Sequence, residues 1–407
     1  MKSQELRIMV ITCFGHFICH FNMMVFPALV LPLGKQLNLD MAQVLGLSFW
    51  MYLLFGLAAF PWGIAADRWG AKPLMILFFL GAGLSGLTAA MYIDSPLRFS
   101  MALAGVGIFS AIYHPIALGL ISKQVSRISM AMGYNGMFGN LGLATAPLLA
   151  GILNWFWGPG GVYLTLGVLN LIGMGLMIFL PLVESRHEKE TGLEGKNGLV
   201  GIFLILLVAM MLGGLAYRGA TVIMPAYFEL KNQWILQAVS GLWAGNLSSN
   251  LVATTVISLI YMIGILGQYT GGRVAEHLEP RFLYLVCHAL IVPAAFLIAI
   301  AQDIPLVAVA LLYFFFLFGA QPAENTLVAR LTPSQFHHSA YGIKFVLTFG
   351  VGALAVKLVG GIQTTWGIEA IFQSLGMISM ALVAAILLLI SRTKPMGLDH
   401  QTPSANL

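Results

Sequence analysis

Long apolar runs alternate with short polar breaks along this chain, and the spacing of the breaks sets the architecture. A helix needs about 20 apolar residues to cross the hydrocarbon of a bilayer. Twelve runs reach that length: 7–33, 43–66, 72–93, 97–122, 131–154 and 160–183, then 198–228, 251–275, 281–300, 304–329, 338–362 and 367–391. Between the sixth and seventh runs lies the charged stretch 184–197, ESRHEKETGLEGKN. The expected domains are an N-terminal six-helix bundle (1–183), a linker (184–197), a C-terminal six-helix bundle (198–391) and a tail (392–407). The fold class is an all-α membrane protein of twelve transmembrane helices in two pseudo-symmetric six-helix bundles. A second long break, Glu229 to Asn250, carries Trp234 and Trp243 and reads as an interfacial helix.

Composition supports the spans. Of 407 residues, 59% are hydrophobic and 9% charged, against roughly 25% charged in soluble domains. The net charge of +5 does not indicate nucleic-acid binding, because the basic residues fall in short loops. With the N-terminus inside, fourteen Lys and Arg lie on cytoplasmic segments and three (Lys35, Arg98, Lys231) on outer loops. The expected location is a bacterial inner (plasma) membrane, multi-pass, with both termini cytoplasmic. The first run is too long for a signal-peptide core and reads as a retained span. Cys13, Cys19 and Cys287 lie in apolar runs and read as packing residues. The sequence contains no P-loop and no catalytic constellation. The expectation is therefore no enzyme, no cofactor and no metal site.

The two halves repeat one plan. Phe26-Pro27-Ala28 matches Met224-Pro225-Ala226, with His20 and Arg218 each seven residues before the proline. Gly63 to Arg68 matches Gly272 to His277, and His114-Pro115 matches Gln321-Pro322. The offsets of 198, 209 and 207 change most where the long break after Glu229 adds residues. Parallel six-span repeats with a site between them are a known transporter plan.

The segment GIAADRWGAK, with Gly63, Asp67, Arg68, Gly70 and Lys72, resembles the signature between spans 2 and 3 of the major facilitator superfamily. Pro73 departs from its last basic position. Gly142, Ala146, Pro147 and Gly151 of the fifth run resemble the span-5 pattern of proton-driven antiporters in that superfamily. Gly105, Gly107 and His114-Pro115, with a span-1 histidine and Asn22, look like its fosmidomycin-resistance branch of drug exporters; Ile116-Ala117 replace the polar residues usual there. The resemblance implies alternating access, with spans 1, 4, 7 and 10 lining a central cavity. It also implies gating loops around Asp67 and, in the repeat, around Gly272, Arg273 and Glu276.

Polar residues inside spans are costly and mark function. Span 1 carries His16 and His20 at i and i+4, span 4 His114, span 7 Tyr217 and Arg218, and span 10 Gln321, Glu324 and Asn325. Asn135 and Asn140 on span 5 either bind substrate or bridge helices. Lys344 and Lys357 lie on span 11. Glu324 is the carboxylate deepest in any span and reads as the proton-coupling residue, ion-paired with Arg218 or not, with His114 as a second proton group. The cationic balance favours an anionic small-molecule substrate at His16, His20, His114, Asn135, Tyr217, Arg218, Gln321, Asn325 and Lys344. The expected activity is secondary active transport, as proton-coupled export of a small organic anion or drug. The alternatives are uptake or exchange of an organic or phosphorylated metabolite, and a membrane sensor that transports nothing. The expected partners are substrate, protons and lipid, and the expected working unit is a monomer.

Overall fold

The computed structural model describes residues 3–126, 128–180, 199–242, 247–331 and 342–393. Every regular element among them is helical. Ten stretches are single spans: Gln4–Ala28, Met41–Ala66, Ala71–Met91, Pro96–Ile121, Gly201–Lys231, Ser249–Ala275, Pro280–Ile300, Asp303–Val328, Gly342–Trp366 and Glu369–Arg392. The eleventh, Ala131–Phe179, holds 49 residues. At 1.5 Å per residue it would run about 70 Å, more than twice the hydrocarbon thickness. It crosses twice, turning at Gly158, whose φ of +65° and ψ of −178° lie outside the helical region and suit glycine. Pro159 follows, so the reversal divides span 5 from span 6 and brings the total to twelve.

Local chemistry explains several boundaries. Span 2 begins with a capping box: Gln43 N–H donates to Asp40 Oδ1 at 2.8 Å, and Asp40 N–H donates to Gln43 Oε1 at 3.0 Å. Spans 4 and 9 begin with Pro96 and Pro280, whose missing N–H has no helical partner at that position anyway. Ser248 caps span 8 by accepting from Leu251 N–H at 3.1 Å. The break after Glu229 contains a helix at Gln233–Leu242, with Trp234 57% exposed, as expected of an interfacial segment. Trp243, the linker and the tail from 394 onward lie outside the described residues.

Bulky apolar side chains face outward: Leu97, Phe179 and Ile300 each keep most of their surface uncovered, which suits contact with lipid tails rather than water. The halves meet where span 1 packs on span 7, span 2 on span 11, and span 5 on span 8. One of the tightest of these approaches is at Gly56. A Cβ there would sit 2.0 Å from Gly350 N, so only glycine lets spans 2 and 11 touch backbone to backbone. Toward the face opposite the termini, Asn250 Nδ2 donates to Ala28 O across the halves at 2.8 Å and Asn154 Nδ2 donates to Asn250 Oδ1 at 3.0 Å. Span 11 is irregular at this contact, with a π turn at Val346–Gly350 followed by a 3₁₀ turn at Val351–Ala353. Such π turns inside helices are frequent at functional sites.

Candidate functional site: polar groups between the two halves

The first half contributes a histidine cluster. His16 and His20 lie one turn apart on span 1, so both rings leave the same face. Their Nε2 atoms are 3.1 Å apart. His16 Nδ1 lies 2.7 Å from Asn135 O; a carbonyl only accepts, so Nδ1 carries the proton and His16 Nε2 accepts. His114 meets both rings edge-on, at centroid distances of 5.2 and 5.5 Å. The order of the cluster comes from behind it. Asn135 Nδ2 donates to Tyr113 Oη at 2.8 Å, Tyr113 Oη donates to Thr12 O at 2.7 Å, and the Tyr113 ring stacks on His16. Gly139 gives span 5 its approach to the His16 ring, where a Cβ would meet Nε2 at 2.6 Å. The second half closes on this cluster through Phe345 and Phe349 of span 11, which stack on the His114 ring at 5.1 and 5.9 Å.

The second half contributes an ion pair. Lys344 Nζ lies 2.8 Å from Glu324 Oε1 and also donates to Asn325 Oδ1. Tyr284 Oη, on span 9, donates to Glu324 Oε2 at 3.0 Å. His288, one turn further along span 9, meets the Tyr284 ring edge-on at 4.7 Å. The pairing of Glu324 with Arg218 expected as an option does not occur. Lys344 reaches Glu324 from span 11 instead, and Arg218 turns toward the first half.

Arg218 is 2% exposed. Its guanidinium carbon lies 3.8 Å above the ring of Tyr52 on span 2, and Tyr52 Oη donates to Met23 O at 3.0 Å. Arg218 Nε and Nη1 have no hydrogen-bond partner among the described residues. A desolvated cation–π contact contributes about 2 kcal/mol. Burial of an ion costs several kcal/mol. The tyrosine alone therefore does not compensate this cation.

Twelve spans in two packed halves, with ionisable groups gathered between them, have a close parallel among known proteins. The family profile described as Major Facilitator Superfamily matches residues 12–356 of this chain. The chain belongs to the Major Facilitator Superfamily. It is accordingly a multi-pass membrane transporter. It is 25% identical over 394 residues to an uncharacterized MFS-type transporter of Bacillus subtilis, YybF, covering 92% of this chain and 91% of that protein. It is 22% identical over 416 residues to a putative metabolite transport protein of Haemophilus influenzae, covering 98% and 99%. In fold it is similar to the nucleoside transporter NupG, with a TM-score of 0.74 and 15% identity over 95% of this chain and 100% of that one. It is also similar to a bacterial homolog of the human lysosomal transporter Spinster, with a TM-score of 0.69 and 14% identity over 96% of both chains.

The superfamily motifs occupy definite places. In the span 2–3 segment, Gly63 faces Pro115 at 3.5 Å, Gly70 takes φ +81° at the helix end, and Arg68 is exposed. Lys72 Nζ donates to Ile178 O and Leu180 O at 3.3 and 3.2 Å, tying span 3 to the end of span 6 within one half. In the repeat, Gly272 has open space beside it and Arg273 lies over Tyr269. The side chains of Asp67 and Glu276 lie outside the described residues. The span-5 motif is a packing surface with two faces. Gly142 lies against the backbone of Phe17, and Gly151 against Thr254 of the opposite half. Ala146 is buried, and just after Pro147 the Leu148 N–H donates across to Ser258 Oγ at 2.8 Å.

Of the remaining predicted residues, Gln321, one turn before Glu324, accepts from Gln268 Nε2 at 2.6 Å, and Tyr217 packs edge-on against Phe318. Asn140 is buried with Nδ2 lacking a protein partner. Lys357 lies over Phe49 at 4.1 Å and is exposed, as a snorkelling residue is. Sequence reasoning missed Tyr52, Tyr113, Tyr284, His288, Phe345 and Phe349. The Tyr284–His288 spacing of one turn was a visible signal, passed over because the resemblance directs attention to spans 1, 4, 7 and 10.

Proposed function

We propose that this transporter carries a small organic anion by alternating access, coupled to protons and in the export direction. The observation that carries the anion is Arg218, a buried guanidinium whose Nε and Nη1 lack a hydrogen-bond partner among the described residues. A planar fork so placed fits a carboxylate, phosphate or phosphonate. Proton coupling is assigned to Glu324. Its charge holds Lys344 and so ties span 10 to span 11. Protonation removes that charge, frees the ammonium, and loosens the helix that stacks on His114 and touches span 2 at Gly350. His114 serves substrate or relays the proton.

The Asn250–Ala28 bond and the packing of Gly360 against Ala42 support a conformation closed on the face opposite the termini. We assign the termini to the cytoplasm on the bias of Lys and Arg, the protein to a bacterial inner membrane, and the working unit to a monomer. The bundles are assigned to 1–183 and 198–391. Export rests on the antiporter-like span-5 motif and the likeness to the fosmidomycin-resistance branch.

A second reading, uptake or exchange of an organic or phosphorylated metabolite, uses the same Arg218. It is favoured by the likeness to a putative metabolite transport protein. Transport assayed in right-side-out and inverted vesicles separates the two. Export predicts accumulation in inverted vesicles driven by a proton gradient acid inside. Accumulation in right-side-out vesicles driven by an inward proton gradient overturns it.

A further inference from the structure

We infer that His16, His20 and His114 form a binding site for a divalent transition-metal ion of the Zn²⁺, Co²⁺ or Ni²⁺ type. One nitrogen from each ring lies within 4.8 Å of the other two. Imidazole nitrogens are the protein ligands that these ions share. Bonds of 2.0–2.1 Å at tetrahedral angles place two ligand nitrogens about 3.3 Å apart. The His16 and His20 Nε2 atoms are already 3.1 Å apart. His114 closes the remainder by a shift of roughly 1.5 Å, within the reach of ring rotation about its side-chain bonds.

Two further observations point to a ligand. His114 is 7% exposed, and its Nε2 has no hydrogen-bond partner among the described residues. His16 donates from Nδ1 to the Asn135 carbonyl, which fixes the tautomer that leaves Nε2 unprotonated. A backbone carbonyl holding the second nitrogen is the arrangement found behind metal-bound histidines. Asn135 is held in turn by Tyr113, so the ring has little freedom to turn away. His20 joins by placing its proton on Nδ1. Of the neighbouring cations, Lys344 is held by Glu324 and Asn325, and the Arg218 guanidinium lies over the Tyr52 ring. Three protein ligands leave a tetrahedral ion one open position. This inference concerns binding and does not depend on which substrate is carried or in which direction.

The test uses the purified full chain with its affinity tag removed, titrated with CoCl₂ and followed by visible absorption. The expected result is one Co²⁺ per chain, with the intense bands of a tetrahedral site, displaced by ZnCl₂ and unaffected by excess MgCl₂. His20→Gln and His114→Gln should each weaken Co²⁺ binding by more than about tenfold. Their elution profile and metal-free melting temperature report whether they fold. Absence of a saturable tetrahedral spectrum in the wild-type chain overturns the inference, and this outcome needs no variant. Retention of that spectrum by a folded His16→Gln/His20→Gln/His114→Gln chain overturns it equally.

Discussion

Lys344 on span 11 and Glu324 on span 10 form an ion pair at 2.8 Å within the membrane-spanning region. Next to Lys344, Phe345 stacks on His114 of the opposite half. A change of charge at Glu324 is thereby one residue away from the contact between the halves. If this is the coupling device, Glu324→Gln abolishes proton-driven accumulation, down to the level of protein-free liposomes, while substrate exchange continues at equal pH. Purified protein in proteoliposomes, assayed under an imposed pH gradient and by counterflow, separates the two activities. Gradient-driven accumulation that survives the substitution removes Glu324 from the coupling role.

Tyr52 should matter through its ring. Tyr52→Leu removes the face beneath Arg218 and should cost about 2 kcal/mol, with weaker anion binding. Tyr52→Phe keeps the face and loses only the hydroxyl, with its bond to Met23 O and its contact with Arg218, at a cost of about 1 kcal/mol. Thermal unfolding of both variants checks the order. Equal losses contradict a role for the ring.

Gly56 lies at the closest approach of spans 2 and 11, and Gly56→Ala places a methyl group 2.0 Å from Gly350 N. Spans 2 and 11, and with them the halves, are then pushed apart. A single cysteine at Ala42, in a background with Cys13, Cys19 and Cys287 replaced, should react faster with a membrane-impermeant maleimide in the Gly56→Ala chain. Unchanged labelling means that this contact does not hold spans 2 and 11 together.

Not every polar residue within a span belongs to transport. Asn22 donates to Ser110 Oγ and Asn170 Oδ1 at 3.2 and 3.1 Å and accepts from Asn170 Nδ2 at 2.8 Å, all buried. Asn22→Ala strands two buried polar groups and should cost about 1–3 kcal/mol of stability, leaving substrate affinity in the folded fraction unchanged. Thermal unfolding alongside a binding assay reads both effects.

The twelve spans were legible because a bilayer imposes length and apolarity on every crossing, and these survive without any knowledge of packing. The Gly158 reversal was legible as the gap between the runs 131–154 and 160–183, though the chain keeps its helical hydrogen bonding almost through it. The grouping of His16, His20 and His114 follows from one face of span 1 and the repeat match at Pro115. What the sequence could not supply was pairing across spans. Arg218 was the cation the sequence suggested for Glu324, and only the packing of span 11 against span 10 brings Lys344 there instead. Tyr52 was invisible for the same reason: an aromatic residue in an apolar run carries no sign that a guanidinium from another half rests on it. The π turn at Val346–Gly350 also leaves no signal in the apolar pattern.

The account rests most heavily on Arg218 as the group that receives an anion. The direct measurement is a thermal-shift titration of wild type and Arg218→Ala with matched anionic and neutral probes, benzoate against benzamide and phenylphosphonate against its diethyl ester. The account predicts that the anions stabilise wild type, that their neutral counterparts do not, and that Arg218→Ala weakens anion binding by about 10-fold or more, the equivalent of about 1.4 kcal/mol. Equal stabilisation by neutral and anionic probes, or an anion response that Arg218→Ala leaves intact, would contradict it.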